Sequence, residues 1–185
     1  MNTIPIGSAH GRFQPLHNEH LEYLIESKKR CDYLWIGITQ HNIKSLYKSP
    51  KDPHRETPAN NPFTYFERVE MITDALQYEN ISHNEFGFIP FPIGDDDSLT
   101  DFIPNSIPIF TIICDRWNKY KIKMLKGKGY RVIVLKERHG NIITGSQIRK
   151  RIFNGDIRWK TQVPQATIKM VKKSNLKERL QRVKE

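Results

Sequence analysis

Short runs rich in β-branched and aromatic residues alternate along this chain with segments whose apolar residues recur at helical spacing. That alternation restricts the fold more than any other feature of the 185 residues. An apolar segment at 4–9 precedes a helical stretch at 15–29, where Leu21, Leu24 and Ile25 fall on one face. Strand-like runs lie at 32–39, 86–93, 107–114 and 130–135, with helical stretches at 63–78, 117–126 and from 148 to 153. Such alternation builds a parallel sheet with helices on both faces, so the expected class is α/β and Rossmann-like. Ligands of such sheets sit beyond the carboxyl ends of the strands, at a topological switch point. The expected organisation is one domain over 1–165, with 166–185 as a basic helical tail of that domain. A polar loop at 40–62 and an acidic one at 94–100 are its long connections.

Composition narrows the class. Hydrophobic residues make up 37% of the chain, enough for an ordinary core, so global disorder is not expected. The nearly apolar run at 107–114 is too short to span a bilayer. The first residues show no basic segment followed by a long apolar one, so no secretory signal is read. Cys31 and Cys114 cannot make a disulfide framework and are too few for a four-cysteine zinc site. Together these features describe a soluble, cytoplasmic protein. The net charge of +10 fits an anionic partner, and the segment from Thr167 onward holds +5 of it. Solubilising surface, a nucleic-acid contact, packing on the domain and a subunit contact are all open for that tail. Ile168, Val171, Leu176, Leu180 and Val183 recur there at roughly helical spacing.

Two short segments carry chemistry. The first, Gly11-Arg12-Phe13-Gln14-Pro15-Leu16-His17-Asn18-Glu19-His20, follows the first strand directly. Gly11 allows close backbone approach at a strand end, and Pro15 suits a helix's first turn. His17 and His20 then project from one face near a helix start, where free N–H groups attract phosphate. Imidazoles there can donate to phosphate oxygens that gain charge in a reaction. Half of a metal site is the rival use of His-x-x-His, but no second ligand pair stands at useful spacing, so no protein-held metal is assigned. The second segment, Ile143-Thr144-Gly145-Ser146-Gln147-Ile148-Arg149, offers hydroxyls and N–H groups at another helix start. Arg149, one turn in, can reach an anion held there with a bidentate fork. The P-loop and dinucleotide-binding glycine signatures are both absent.

The first segment resembles the H-x-G-H motif of the nucleotidylyltransferase superfamily, and 143–151 resembles its distal I-S-G-T-x-I-R-type motif. Within it the opening is most similar to archaeal-type nicotinamide-nucleotide adenylyltransferases. Asn61-Pro62-Phe63-Thr64-Tyr65-Phe66-Glu67-Arg68-Val69 adds a third match. The resemblance implies transfer of AMP from ATP to nicotinamide mononucleotide, with Mg²⁺ arriving on the ATP and pyrophosphate leaving. It implies that His17, His20 and Arg149 are catalytic. Gly11, Arg12, Phe13, Thr144, Ser146 and Arg149 would seat the ATP phosphates. It also implies a homo-oligomer, with no membrane or nucleic-acid partner.

The chain departs from that pattern in places. Glu19 stands where the family usually has glycine; a carboxylate there is expected to face solvent or to pair with a cation such as Arg12. The tryptophan that the archaeal family carries after the 86–93 strand is missing. Phe102, Asp115 and Trp117 are the candidates for the acceptor side. Phe102 can equally be a core or lid residue, and Asp115 can equally cap the next helix. A cytidylyl- or adenylyltransferase with another phosphorylated acceptor is the alternative. A nucleic-acid-binding module on the same fold is a third.

Overall fold

The computed structural model describes residues 3–47, 57–93, 98–138, 140 and 142–183. The acidic stretch at 94–97 lies outside the described residues. Five strands form over the five expected runs: β1 (Ile4–Gly11), β2 (Cys31–Ile38), β3 (Phe86–Pro90), β4 (Ile109–Ile113) and β5 (Val132–Glu137). They make one parallel sheet in the order β3-β2-β1-β4-β5. The order reverses between β1 and β4, which is the switch point. The helices are α1 (Asn18–Lys28), α2 (Tyr65–Tyr78), α3 (Leu99–Phe102), α4 (Arg116–Gly127), α5 (Gly145–Phe153), α6 (Gln165–Lys173) and α7 (Leu176–Arg182). Right-handed crossovers that leave β1 one way and β4 the other put α1 and α4 on opposite faces of the sheet. The Rossmann-like α/β class is therefore the observed one.

The chain divides into two compact units. The sheet unit comprises residues 1–11, 22–39 and 82–142; the helical unit comprises 12–21, 40–81 and 143–185. In the sheet unit, Phe91, Leu99, Ile103, Ile109, Leu125 and Tyr130 form a buried cluster on one face. Gly37 on β2 belongs to that packing, because a Cβ there would lie 2.5 Å from the Phe91 ring. In the helical unit, α2 starts at a capping box: Thr64 accepts from the Glu67 N–H, and Glu67 accepts from the Thr64 N–H. Met71, Ile72 and Ala75 are buried on α2, and Met170, Val171, Leu176 and Leu180 on α6 and α7. The tail's cations face acids of α2: Lys173 meets Glu70 at 2.7 Å, and Arg179 meets both Glu67 oxygens at 2.7 and 2.9 Å. The tail thus packs as two helices, broken at Asn175, whose φ of +49° turns the chain.

Several boundaries differ from expectation. Pro15 is not in a helix's first turn; α1 begins at Asn18, and the preceding residues form a turn. Helix α5 starts three residues earlier than its apolar periodicity indicates, because Thr144 caps it. Helix α3 and a 3-10 segment at Ile157–Gln162 were not expected, being too short for periodicity to register.

Candidate active site

The segment after β1 cannot run straight on. Phe13 takes a φ of +51°, a left-handed conformation that costs a bulky residue energy and persists only where packing enforces it. Its ring is fully buried. Gln14 then ties the turn to the 61–69 segment: its amide donates to the Phe63 carbonyl at 2.8 Å and accepts from the Phe63 N–H at 2.9 Å. The distal motif closes on the same turn. A Cβ on Gly145 would sit 2.6 Å from the Gln14 carbonyl oxygen, so only glycine lets the start of α5 approach it.

Two buried arginines brace this turn from the same unit. Arg68 is fully buried and donates to the carbonyls of Arg12, Gln40 and Thr64 at 3.0, 2.9 and 3.2 Å. Arg149 donates to the Gln14 carbonyl and to Asn60 Oδ1, and its Nη2 reaches Ser146 Oγ at 3.0 Å. Every hydrogen bond recorded for Arg149 therefore ends on a neutral oxygen. Burial, and then the Arg12 guanidinium, pulls Arg149 down to about 9. Burial does the same to Arg68, also to about 9, with Arg12 again opposing its charge. Both stay cationic at neutral pH, so positive charge is crowded around one backbone turn. An anion bound there relieves that crowding.

The histidines sit at the start of α1. His17 is its cap residue: its Nδ1 accepts from the His20 N–H at 3.4 Å, which assigns the ring proton to Nε2. The two rings stack with centroids 3.6 Å apart, and Phe13 meets His20 edge-on at 5.2 Å. Glu19 is half-buried at the start of α1. Its Oε1 accepts from the Ile143 N–H at 3.2 Å, fastening the entry to α5 beside the histidines. Thr144 closes a capping box with Gln147, leaving its hydroxyl proton to donate elsewhere.

The helical unit therefore brings together Arg12, Phe13, His17, His20, Thr144, Ser146 and Arg149. Gly11 ends β1 in the sheet unit, where its carbonyl accepts from the Thr39 N–H at 3.0 Å. Phe102, Asp115 and Trp117 also belong to the sheet unit. Asp115 caps α4, accepting from the Asn118 N–H at 2.8 Å, which is the second of the two uses open to it. Trp117 is half-buried and lies 5.6 Å from Tyr120, ring to ring. Sequence reasoning assigned no role to Gln14, Asn60, Arg68 or His10. Arg68 stood inside the 61–69 motif, and its place among the buried positions of α2 was the available signal. His10 is a large polar residue at the buried end of a central parallel strand, a second usable signal.

Comparison with known proteins shows the family. The family model described as cytidylyltransferase-like matches residues 8–151. The chain is 34% identical over 174 residues to the phosphonoformate cytidylyltransferase of Streptomyces viridochromogenes, covering 94% of each. It is 28% identical over 171 residues to the nicotinamide-nucleotide adenylyltransferase of Thermococcus kodakarensis, covering 92% of this chain and 84% of that one. Among solved structures, a bifunctional NMN adenylyltransferase/ADP ribose pyrophosphatase from Francisella tularensis, complexed with AMP and a manganese ion, superposes with a TM-score of 0.62 at 21% identity. That likeness covers 87% of this chain and 44% of the other, and it concerns the fold.

Proposed function

The chain belongs to the cytidylyltransferase-like family of nucleotidylyltransferases, and from that premise we propose that it transfers CMP from CTP to a small phosphonate or phosphate acceptor. An acceptor oxygen attacks the α-phosphorus, the bond from that phosphorus to the β-phosphate oxygen breaks, and pyrophosphate leaves. The divalent ion arrives with the triphosphate as part of the substrate and offsets charge on the leaving group. Among the described residues no cluster of three or more His, Cys, Asp or Glu side chains is arranged to hold a metal.

The observation that carries the reaction is the crowding of cations and imidazoles around the turn at 12–14. His17, through Nε2–H, and His20 contact the α-phosphate as its charge grows. Arg149, Ser146 and Thr144 hold the β- and γ-phosphates, and Arg12 and the backbone at Phe13 seat the chain of phosphates. No side chain needs to form a covalent intermediate; alignment and charge stabilisation are the enzyme's work. Two observations favour the cytidylyl reading: the greater identity and coverage of the phosphonoformate relative, and the missing tryptophan after β3. A second reading, AMP from ATP to nicotinamide mononucleotide, is favoured by the 61–69 motif and by the archaeal relatives. Asp115, Trp117 and Phe102 are its acceptor-side candidates.

The test is pyrophosphate release with Mg²⁺ and two substrate pairs, CTP with phosphonoformate and ATP with nicotinamide mononucleotide, beside a His20→Ala control. Release that needs CTP and the phosphonate, and vanishes in the control, supports the proposal. Release only with the second pair replaces the first reading by the second. No release with either pair overturns both acceptor assignments.

A further inference from the structure

In the sheet unit the pairing of the two strands at the switch point ends at one residue. β1 and β4 pair at Ser8–Ile109 and Ala9–Phe110. At the next step the Tyr23 hydroxyl bridges them, accepting from the His10 N–H at 3.1 Å and donating to the Phe110 carbonyl at 2.8 Å. Strands held apart by a phenol are strands that have begun to diverge. The side chain standing at that divergence is His10, 5% exposed, at the carboxyl end of the central strand.

Its surroundings fix the plane of its ring. Gly37 lies beside His10 in register, and the missing side chain there makes room for Phe91. The Phe91 ring lies parallel to the imidazole, with centroids 4.3 Å apart. Ser8, two positions back on an extended strand, shares the same face. Ser8 Oγ and both His10 ring nitrogens are buried without a hydrogen-bond partner. Three orphaned polar atoms on a face otherwise built of Phe91, Ile109 and Leu125 are costly, and such groups are kept where something else supplies the partner. Burial, and then the charge of the buried Lys121 on α4, holds the imidazole well below its ordinary pKa. It is therefore neutral, with one nitrogen donating and the other accepting. The Ser8 hydroxyl adds a second donor on the same face. Donors with a cation nearby suit an oxyanion.

We propose that His10, supported by Ser8, is an acceptor-recognition residue that binds an oxyanion group, carboxylate or phosphonate, of a small acceptor at the β1–β4 switch point. The proposal rests on the transfer reaction put forward above and names the chemistry of its acceptor side. His10 acts in binding, so its loss shows in the acceptor's KM and spares the nucleotide.

The full chain is tested as wild type, His10→Ala, His10→Gln and Ser8→Ala, each checked for an unchanged melting transition. CTP affinity is measured by calorimetry and the phosphonoformate KM by pyrophosphate release. The expected result for His10→Ala is a KM raised roughly 10- to 100-fold, the loss of a hydrogen bond to a charged group, with CTP affinity within about twofold of wild type. His10→Gln, whose amide also donates and accepts, recovers part of it. A kcat or CTP effect with no change in acceptor KM overturns the proposal. A second readout does not need turnover: the ¹⁵N ring resonances of His10, assigned by their loss in His10→Ala, are followed while phosphonoformate, inorganic phosphate or formate is added. A shift with phosphonoformate supports the proposal, and the phosphate and formate arms tell which end of the acceptor is read. Unmoved resonances with all three, in protein that binds CTP, sink it. If the wild type binds CTP but turns over no acceptor, the reaction proposed above fails, and the ring titration still decides His10.

Discussion

Arg149 and Arg179 are both helical arginines of the same unit, and their partners differ in kind. Arg179, in the basic tail, lies against both oxygens of Glu67 and so spends its charge inside the protein. Arg149, at the distal motif, is more deeply buried and its hydrogen bonds all end on neutral oxygens. A cation whose partners are carbonyls and hydroxyls is held in place without being neutralised, which is the condition for receiving an anionic ligand. Net charge alone does not separate the two regions; their partners do. The tail's basicity, half of the chain's excess, thus reads in part as adhesion between α2 and the last two helices.

The largest effect that would break this comparison lies at Arg149. Arg149→Ala is expected to lower kcat/KM for pyrophosphate release by about 10²–10³. Arg149→Lys should recover little, because an ammonium cannot replace the planar fork. Wild-type turnover in either variant would remove the residue from the phosphate site. Gly145→Ala comes next. The added methyl meets the Gln14 carbonyl at 2.6 Å, and overpacking of this kind typically costs about 1–3 kcal/mol. A lowered denaturation midpoint together with reduced nucleotide affinity is the expected pair of readouts.

Arg179→Ala sharpens the contrast from the other side. It should destabilise by at most about 1 kcal/mol, being a half-exposed pair, and leave kcat within a few-fold. The acid side separates it further. Burial pushes the Glu67 carboxyl up, but hydrogen bonds from Arg179 and Thr64 outweigh it and leave the group below its ordinary range. A carboxyl depressed in the folded state stabilises at neutral pH, and that contribution is lost as pH falls from the ordinary carboxylate range through the lower folded value. The stability gap between wild type and Arg179→Ala should therefore shrink in acid, as read by urea midpoints at several pH values. The smallest effect is Glu19→Gln. It keeps an acceptor for the Ile143 N–H and loses only the charge, so roughly 0.5–1.5 kcal/mol of stability or less is at stake. A large loss of turnover there would mean that the carboxylate does more than hold α5's entry.

Much of the fold was legible because its signals are local. Short apolar, β-branched or aromatic runs marked all five strands, and helical periodicity marked α2 and α4 within two residues. The start of α1 was not legible, since Pro15 satisfies the rules for a helix start while the chain uses it in a turn. The first and distal motifs were visible as residue types suited to phosphate. Their meeting was not, because Gly145 and Gln14 are far apart in sequence and only close packing shows why one must lack a side chain. The part played by Arg68 was not legible, since helix periodicity cannot tell a buried arginine that props carbonyls from one on the surface.

By itself the sequence determined the α/β class, the strand order's raw material, the phosphate-seeking segments and the sign of the ligand, all properties of residue type and short-range spacing. Tertiary structure alone decided which cations are spent on carboxylates and which are held by neutral oxygens. It also decided that Glu19 clasps the distal motif and that His10 is buried with its nitrogens unmet. The reason is physical. Burial and hydrogen-bond partnership depend on residues distant in the chain, and a side chain's chemistry depends on both.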